Sequence, residues 1–182
     1  MHTLVPPDFQ RPARRTWSRG FTLIELLVTV AIAALLLALA VPSFNRLMIS
    51  SRLTTQANNA VNLLSYARAE AVKRGVNVQV SADGAVTALP PGVASVPITQ
   101  AVIVPTGITA SSPIAALIAT PIGLLHAPNA ATGYSGLVGD ISSSAISSDN
   151  HRCIYLYTGT TVASCTDSQT CKQGAPDNAT CK

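Results

Sequence analysis

The feature that most restricts this chain is an apolar run from Phe21 to Phe44 that holds a single ionisable residue, Glu25. From Leu26 to Ser43 there is no charge at all. About 20 apolar residues cross the hydrocarbon core of a bilayer as a helix, because a helix satisfies its own backbone polar groups where water cannot. The run therefore predicts a membrane-spanning helix. It also accounts for part of an unusual composition, 48% hydrophobic and 11% charged, against about a quarter charged in ordinary soluble domains. A chain of 182 residues has room for one compact domain beside such an anchor.

Residues 1–20 are rich in proline and carry Arg11, Arg14, Arg15 and Arg19 against Asp8. Cations that precede an apolar run stay in the cytoplasm, which sends the C-terminal part outward. Ala31, Ala33, Ala34, Ala38 and Ala40 continue through the run without a break. By pattern alone a removable signal peptide or a plain signal anchor stays open. Glu25 has two readings as well. A carboxylate in an apolar helix is costly and usually functional when it finds a cation, and close to the helix start it can instead sit solvated among headgroups. The net charge of +4 is mostly that of residues 1–20. Beyond Gly75 only Arg152, Lys172 and Lys182 stand against Asp83, Asp140, Asp149, Asp167 and Asp177, so the distal part is mildly acidic and not an obvious binder of nucleic acid.

The junction Arg19-Gly20-Phe21-Thr22-Leu23-Ile24-Glu25-Leu26-Leu27 closely resembles the motif of type IV prepilins. The resemblance implies cleavage between Gly20 and Phe21 by an inner-membrane prepilin peptidase and N-methylation of Phe21. It implies that the apolar helix is kept, and that Glu25 pairs with the N-terminal amine of a neighbouring subunit and so sets the stagger of assembly. Pro42 matches a family proline, before which filaments often lose helix. Physically, an interior proline removes a backbone hydrogen bond and kinks the helix. The helix-weakening glycine usual in the family has no counterpart in Ala31-Ile32-Ala33-Ala34-Leu35.

After Pro42, Ile49, Leu53, Ala57, Ala60, Leu64, Ala67 and Ala71 recur at spacings of three and four, which predicts an amphipathic continuation with one face on a sheet. Glu70 and Arg74 form an i,i+4 pair, and Gly75 is a suitable C-cap. Arg46 and Arg52 lie on a solvated face or against anionic headgroups. Tyr66 to Gly75, with its Ala-Arg-Ala-Glu-Ala core, also resembles the FimT/FimU/GspH group of minor pilins and minor pseudopilins, in which this helix end leads into the first strand.

Val76–Val80 and Ala85–Leu89 alternate around Asp83-Gly84, the strongest short hairpin signal. Further strands are expected at Ile98–Val104, Ile114–Ala119 and Pro121–His126, separated by Pro- and Gly-rich turns. No Asp, Glu, Lys or Arg occurs from Gly84 to Gly139. That stretch is either a protein-contact surface or a sheet core with uncharged loops. Gly139–Asp149, rich in serine, reads as a surface loop. Cys153 to Cys165 reads as a hairpin turning at Thr158–Thr160, with Cys153 opposite Cys165. The four cysteines, Cys153, Cys165, Cys171 and Cys181, cluster at one end of an exported part. They point to two disulfides rather than zinc, since no close CxxC pair exists and His151 is the only histidine nearby. Three pairings are possible, and the hairpin register favours Cys153–Cys165 with Cys171–Cys181. The resemblance, too, suggests C-terminal strands and a disulfide-tied tail.

The expected fold is α+β and type IV pilin-like, a long N-terminal helix packed on a small antiparallel sheet head. Its parts are a cytoplasmic leader (1–20), a membrane and assembly helix (21–44), an amphipathic half-helix (45–75) and an exported β-rich head (76–182). No HExxH, GxSxG or phosphate loop is present, His126 is isolated, and no catalytic residue, metal or cofactor is expected. The resemblance implies an inner-membrane, single-pass subunit with a periplasmic head that later joins a filament. Its partners would be other major and minor pilins or pseudopilins, the prepilin peptidase and the inner-membrane assembly platform. The role expected is a minor type IV pilin that primes or tips the pilus. The alternatives are an H-type minor pseudopilin of type II secretion, a DNA-binding minor pilin for transformation, and an anchored binding protein outside any filament.

Overall fold

The computed structural model describes residues 20–102 and 104–174. One helix, α1, spans Leu23–Arg74 and passes through Pro42 without interruption. It stops at Gly75, whose backbone is left-handed (φ 66°) and whose N–H still donates to Ala71 O at 2.9 Å. Glycine takes that conformation without the clash a Cβ would bring. The chain divides into two compact units between Val41 and Pro42. In the first, every residue of α1 up to Val41 is exposed.

The second unit contains the rest of α1 and two antiparallel sheets. The first sheet has the order β3 (Val96–Thr99), β2 (Val86–Leu89), β1 (Asn77–Ser81), β5 (Ala116–Ala119), β6 (Leu125–His126). The second has the order β4 (Thr109–Ser111), β7 (Gly136–Ser142), β8 (His151–Tyr157), β9 (Thr161–Asp167). The hairpin expected around Asp83-Gly84 is β1–β2, in register from Asn77↔Leu89 to Val80↔Val86. Asp83 closes its turn by accepting the Ala85 N–H at 3.1 Å. The second hairpin also follows the sequence: β8 and β9 flank Thr158–Thr160, with Tyr157↔Thr161 and Cys153↔Cys165 as pairs.

The apolar stripe of α1 lies against both sheets. Leu53 and Ala57 pack with Ile141, Ile146 and Ile154 of the second. Leu64, Ala67 and Ala71 pack with Val78, Val80, Leu117 and Leu125 of the first, joined by Leu156. Small alanines on the stripe let strands approach closely, while the Leu and Ile side chains fill the space between. The sheets meet at the β8–β9 turn, where Leu125 N–H donates to Gly159 O (2.9 Å) and Gly159 N–H donates to Tyr134 O (2.7 Å).

Three expectations change. Gly139–Asp149 is not all loop, because β7 runs to Ser142 and pairs with β4 and β8, leaving only 143–150 to connect. A register shift between Leu137 and Gly139 breaks the period-2 burial, so no alternation shows in a Gly-, Ser- and Asp-rich segment. The strands of the charge-free stretch are short: β3 starts earlier and ends at Thr99, β5 begins at Ala116, and β6 has two residues. Ile103, within the strand expected to Val104, lies outside the described residues. Finally, Cys153 is bonded to Cys171, not to Cys165. Directly opposed residues share a face of the sheet, so Cys153 and Cys165 both point out of the ladder toward what covers it. The segment after β9 turns back over that face. Leu137 N–H donates to Gln173 O (3.3 Å) and the Tyr155 hydroxyl to Lys172 O (3.1 Å). That return brings Cys171 to a Cα separation of 5.6 Å from Cys153, well within disulfide reach. Cys165 is disulfide-bonded as well, and Cys181 lies outside the described residues. A Cys171–Cys181 bond is thereby ruled out.

Candidate functional site

Gly20 and Phe21 precede α1 and are exposed, Phe21 at 82%. The rest of the leader lies outside the described residues. Thr22 is the N-cap: its Oγ1 accepts the Glu25 N–H at 3.3 Å and its carbonyl accepts Leu26 N–H at 3.2 Å. Thr22 and Glu25 thus occupy the two ends of a capping box, with an acidic residue near the positive end of the helix dipole. The physical sense is local, since Glu25 sits where backbone N–H groups have no helical partner. An 18-residue window of α1 has a mean hydropathy of 2.7 and no buried residue. Leucines and isoleucines from Leu23 to Leu39 are exposed on all sides. A helix apolar all round needs lipid or other helices around it. Pro42 sits inside the helix at the division between the two units.

Polar groups lock the remainder of α1 to the sheets. Arg152 on β8 is only 7% exposed. Its Nη2 donates to Ser50 Oγ (3.1 Å), its Nε to Thr54 Oγ1 (3.4 Å) and its Nη1 to Asp149 O (2.7 Å). Burial pushes its pKa down and the Asp149 charge pushes back. From the helix side, Arg68 Nη2 donates to Gly159 O at 3.0 Å, at the meeting of the two sheets. Glu70 faces inward yet stays ionised, because Arg74 Nε donates to its Oε2 at 2.6 Å and Lys73 lies 3.7 Å from Oε1. The Arg74 hydrogen bond holds its carboxyl below the usual range, desolvation opposes this, and the Lys73 charge adds to it. The sequence showed the Glu70–Arg74 pair; the long-range partners of Arg68 and Arg152 could not be read from it.

An apolar cleft of about 360 Å³ opens between α1 and the two sheets. Leu63, Val80, Val102, Ile114 and Val138 line it, with Asn59 and Asp83 among the polar groups there. The charge-free stretch does expose apolar side chains: Val93, Val96, Val102, Val104 and Ile122. His126 ends β6 with its Nδ1 2.8 Å from Ala127 O.

The covered face of the second sheet holds a polar cluster that the sequence did not suggest, because Asp140 fell in an expected loop. Asp140 stands opposite Cys153 on β7 and is buried. Both its oxygens lie near His151 Nδ1, at 2.8 and 3.0 Å, and Oδ2 accepts the Cys171 N–H at 3.4 Å.

Comparison with known proteins agrees with this layout. A family model for the prokaryotic N-terminal methylation motif matches residues 18–41, and a model described as type II transport protein GspH matches residues 56–169. Neither the curated proteins nor the solved structures gave a match. The second match takes in well over half of the chain and nearly all of its described head, and the first falls on the capped apolar helix. The chain belongs to the GspH family and is a prepilin-like minor pilin or pseudopilin.

Proposed function

We propose that this protein is a minor type IV pilin, which enters the inner membrane with its head in the periplasm and primes or tips a pilus. The observation that carries the reading is the apolar helix exposed on every side, with Glu25 in its first turn and the methylation motif across its start. Such a surface is stable in lipid and then among like helices in a filament, and export into water would leave it uncovered. Removal of residues 1–20 between Gly20 and Phe21 would create an amine beside the Thr22 cap. On a neighbouring subunit that amine is a cation within the same apolar setting as Glu25. Its partners are then other pilins, the prepilin peptidase and the assembly platform.

Mass spectrometry of the mature protein tests the processing step. The expected N-terminus is Phe21 bearing one methyl group, and a chain retaining residues 1–20 overturns the reading. Glu25→Val is expected to be processed and membrane-inserted yet lost from sheared filaments, as seen by immunoblot.

The description of the matched family supports a second reading, the H-type minor pseudopilin of a type II secretion system. Deleting the gene separates the two: loss of surface pili and twitching favours the first, and retention of secreted enzymes in the periplasm favours the second. Nothing favours a DNA receptor. Of the three cations beyond Gly75, Arg152 is buried and engaged, Lys172 is exposed, and Lys182 lies outside the described residues. One exposed lysine among the described head residues does not make a phosphate-binding cluster.

A further inference from the structure

We propose that the face of the second sheet beneath the returning tail is a redox-gated zinc site, formed when the Cys153–Cys171 disulfide is reduced. Donor atoms of Asp140, His151 and Cys171 already lie within 4.8 Å of one another. Cys153, bonded to Cys171, carries the second sulfur. Topology explains the convergence. His151 and Cys153 are two residues apart on β8 and so share a face, and Asp140 is the direct cross-strand partner of Cys153. Cys171 comes from the tail. Two thiolates, one imidazole and one carboxylate form a set suited to four-coordinate zinc. Calcium and magnesium prefer oxygen donors throughout.

Disulfide sulfurs are poor ligands, so the oxidised head does not bind. A dithiol donor supplies two electrons and two protons: the Cys153–Cys171 bond breaks, and the donor closes its own disulfide. Zinc then displaces the two thiol protons to solvent and is held by two thiolates. The site stays assembled after reduction because the tail is held by other bonds. Cys171 N–H donates to Asp140, Leu137 N–H to Gln173 O, and the Tyr155 hydroxyl to Lys172 O. Asp140 and His151 are also fixed on each other before any metal arrives. The same tail thus has two alternative staples, a disulfide and a metal ion. A head exported as free thiols would hold its tail in place before oxidation.

The test uses the full-length protein in detergent, reduced with a phosphine and titrated with cobalt(II) and then zinc(II). One cobalt per chain should give a thiolate-to-metal charge-transfer band with four-coordinate ligand-field bands, and zinc should bleach both. The oxidised protein should give neither. His151→Ala and Asp140→Asn, which each remove a direct ligand, should weaken zinc binding by more than the about 10–100-fold that loss of an outer-sphere partner costs. In the wild-type protein, zinc should shield Cys153 and Cys171 from alkylation, read by peptide mass. The idea is overturned if reduced wild type gives no charge-transfer band, if both variants bind zinc as wild type does, or if Cys153 and Cys171 alkylate equally fast with and without zinc. It is also overturned if the reduced, metal-free chain loses its native circular dichroism, since the site then has no scaffold.

Discussion

Arg152 is the residue that ties β8 to the helix, and its environment explains why a single arginine can carry that role. Its planar fork reaches Ser50, Thr54 and the Asp149 carbonyl at once, a geometry lysine cannot copy. Arg152→Ala is expected to destabilise the protein by about 2–3 kcal/mol, since a buried side chain and the charge-assisted hydrogen bonds it donates are lost together, with Arg152→Lys recovering only part; thermal unfolding in detergent checks both. Glu70 gives a pH prediction with a definite sign. Its folded pKa is lowered by Arg74. Its contribution is therefore present above the unfolded carboxyl pKa and is lost as pH falls through the lower folded value. Stability should decline below about pH 4, and Glu70→Gln should flatten that part of the Tm-against-pH curve.

At the scale of elements, the turn between β8 and β9 has to serve both sheets. Gly159 has φ 71°, and a Cβ there would meet Leu125 O at 2.3 Å and Leu124 Cδ1 at 2.8 Å. The Gly159 carbonyl accepts hydrogen bonds from the Leu125 N–H and from Arg68 Nη2. Gly159→Ala combines strain with a backbone collision, and a loss of about 3 kcal/mol or more is expected. Gly75→Ala, whose Cβ meets nothing, should lose only about 1 kcal/mol from its left-handed backbone. A paired measurement of both variants by chemical denaturation tests the ranking. If Gly75→Ala proves the more damaging, the turn is not the junction described.

At the scale of the whole molecule, a long helix, two sheets and a returning tail are tied together near the C-terminal end. The Cys153–Cys171 bond closes a loop of sequence separation 18, and breaking such a loop removes about 3 kcal/mol. Cys153→Ser with Cys171→Ser should lower stability by that order. A non-reduced peptide map of the wild type should contain the Cys153–Cys171 peptide and none joining Cys153 to Cys165. A map with the reverse pattern would undo both the tail placement and the zinc proposal, while leaving the anchor helix and its family match untouched.

Local chemistry was enough for part of this. The apolar run, the alanine-rich stripe with its Gly75 stop, and the two hairpins at Asp83-Gly84 and Thr158–Thr160 were all legible, because each depends on neighbours within a few residues. Membrane length, helical period and turn backbone are such local properties. What three-dimensional packing decided lay between distant segments. The bulge in β7 hid a strand inside a Ser- and Gly-rich stretch. Asp140 gained its partners, and Arg68 and Arg152 theirs, only across sequence separations too long to read. The cysteine pairing followed the same rule. Strand register set Cys153 beside Cys165, and the path of the tail over the sheet face, which no local pattern encodes, gave Cys153 to Cys171 instead.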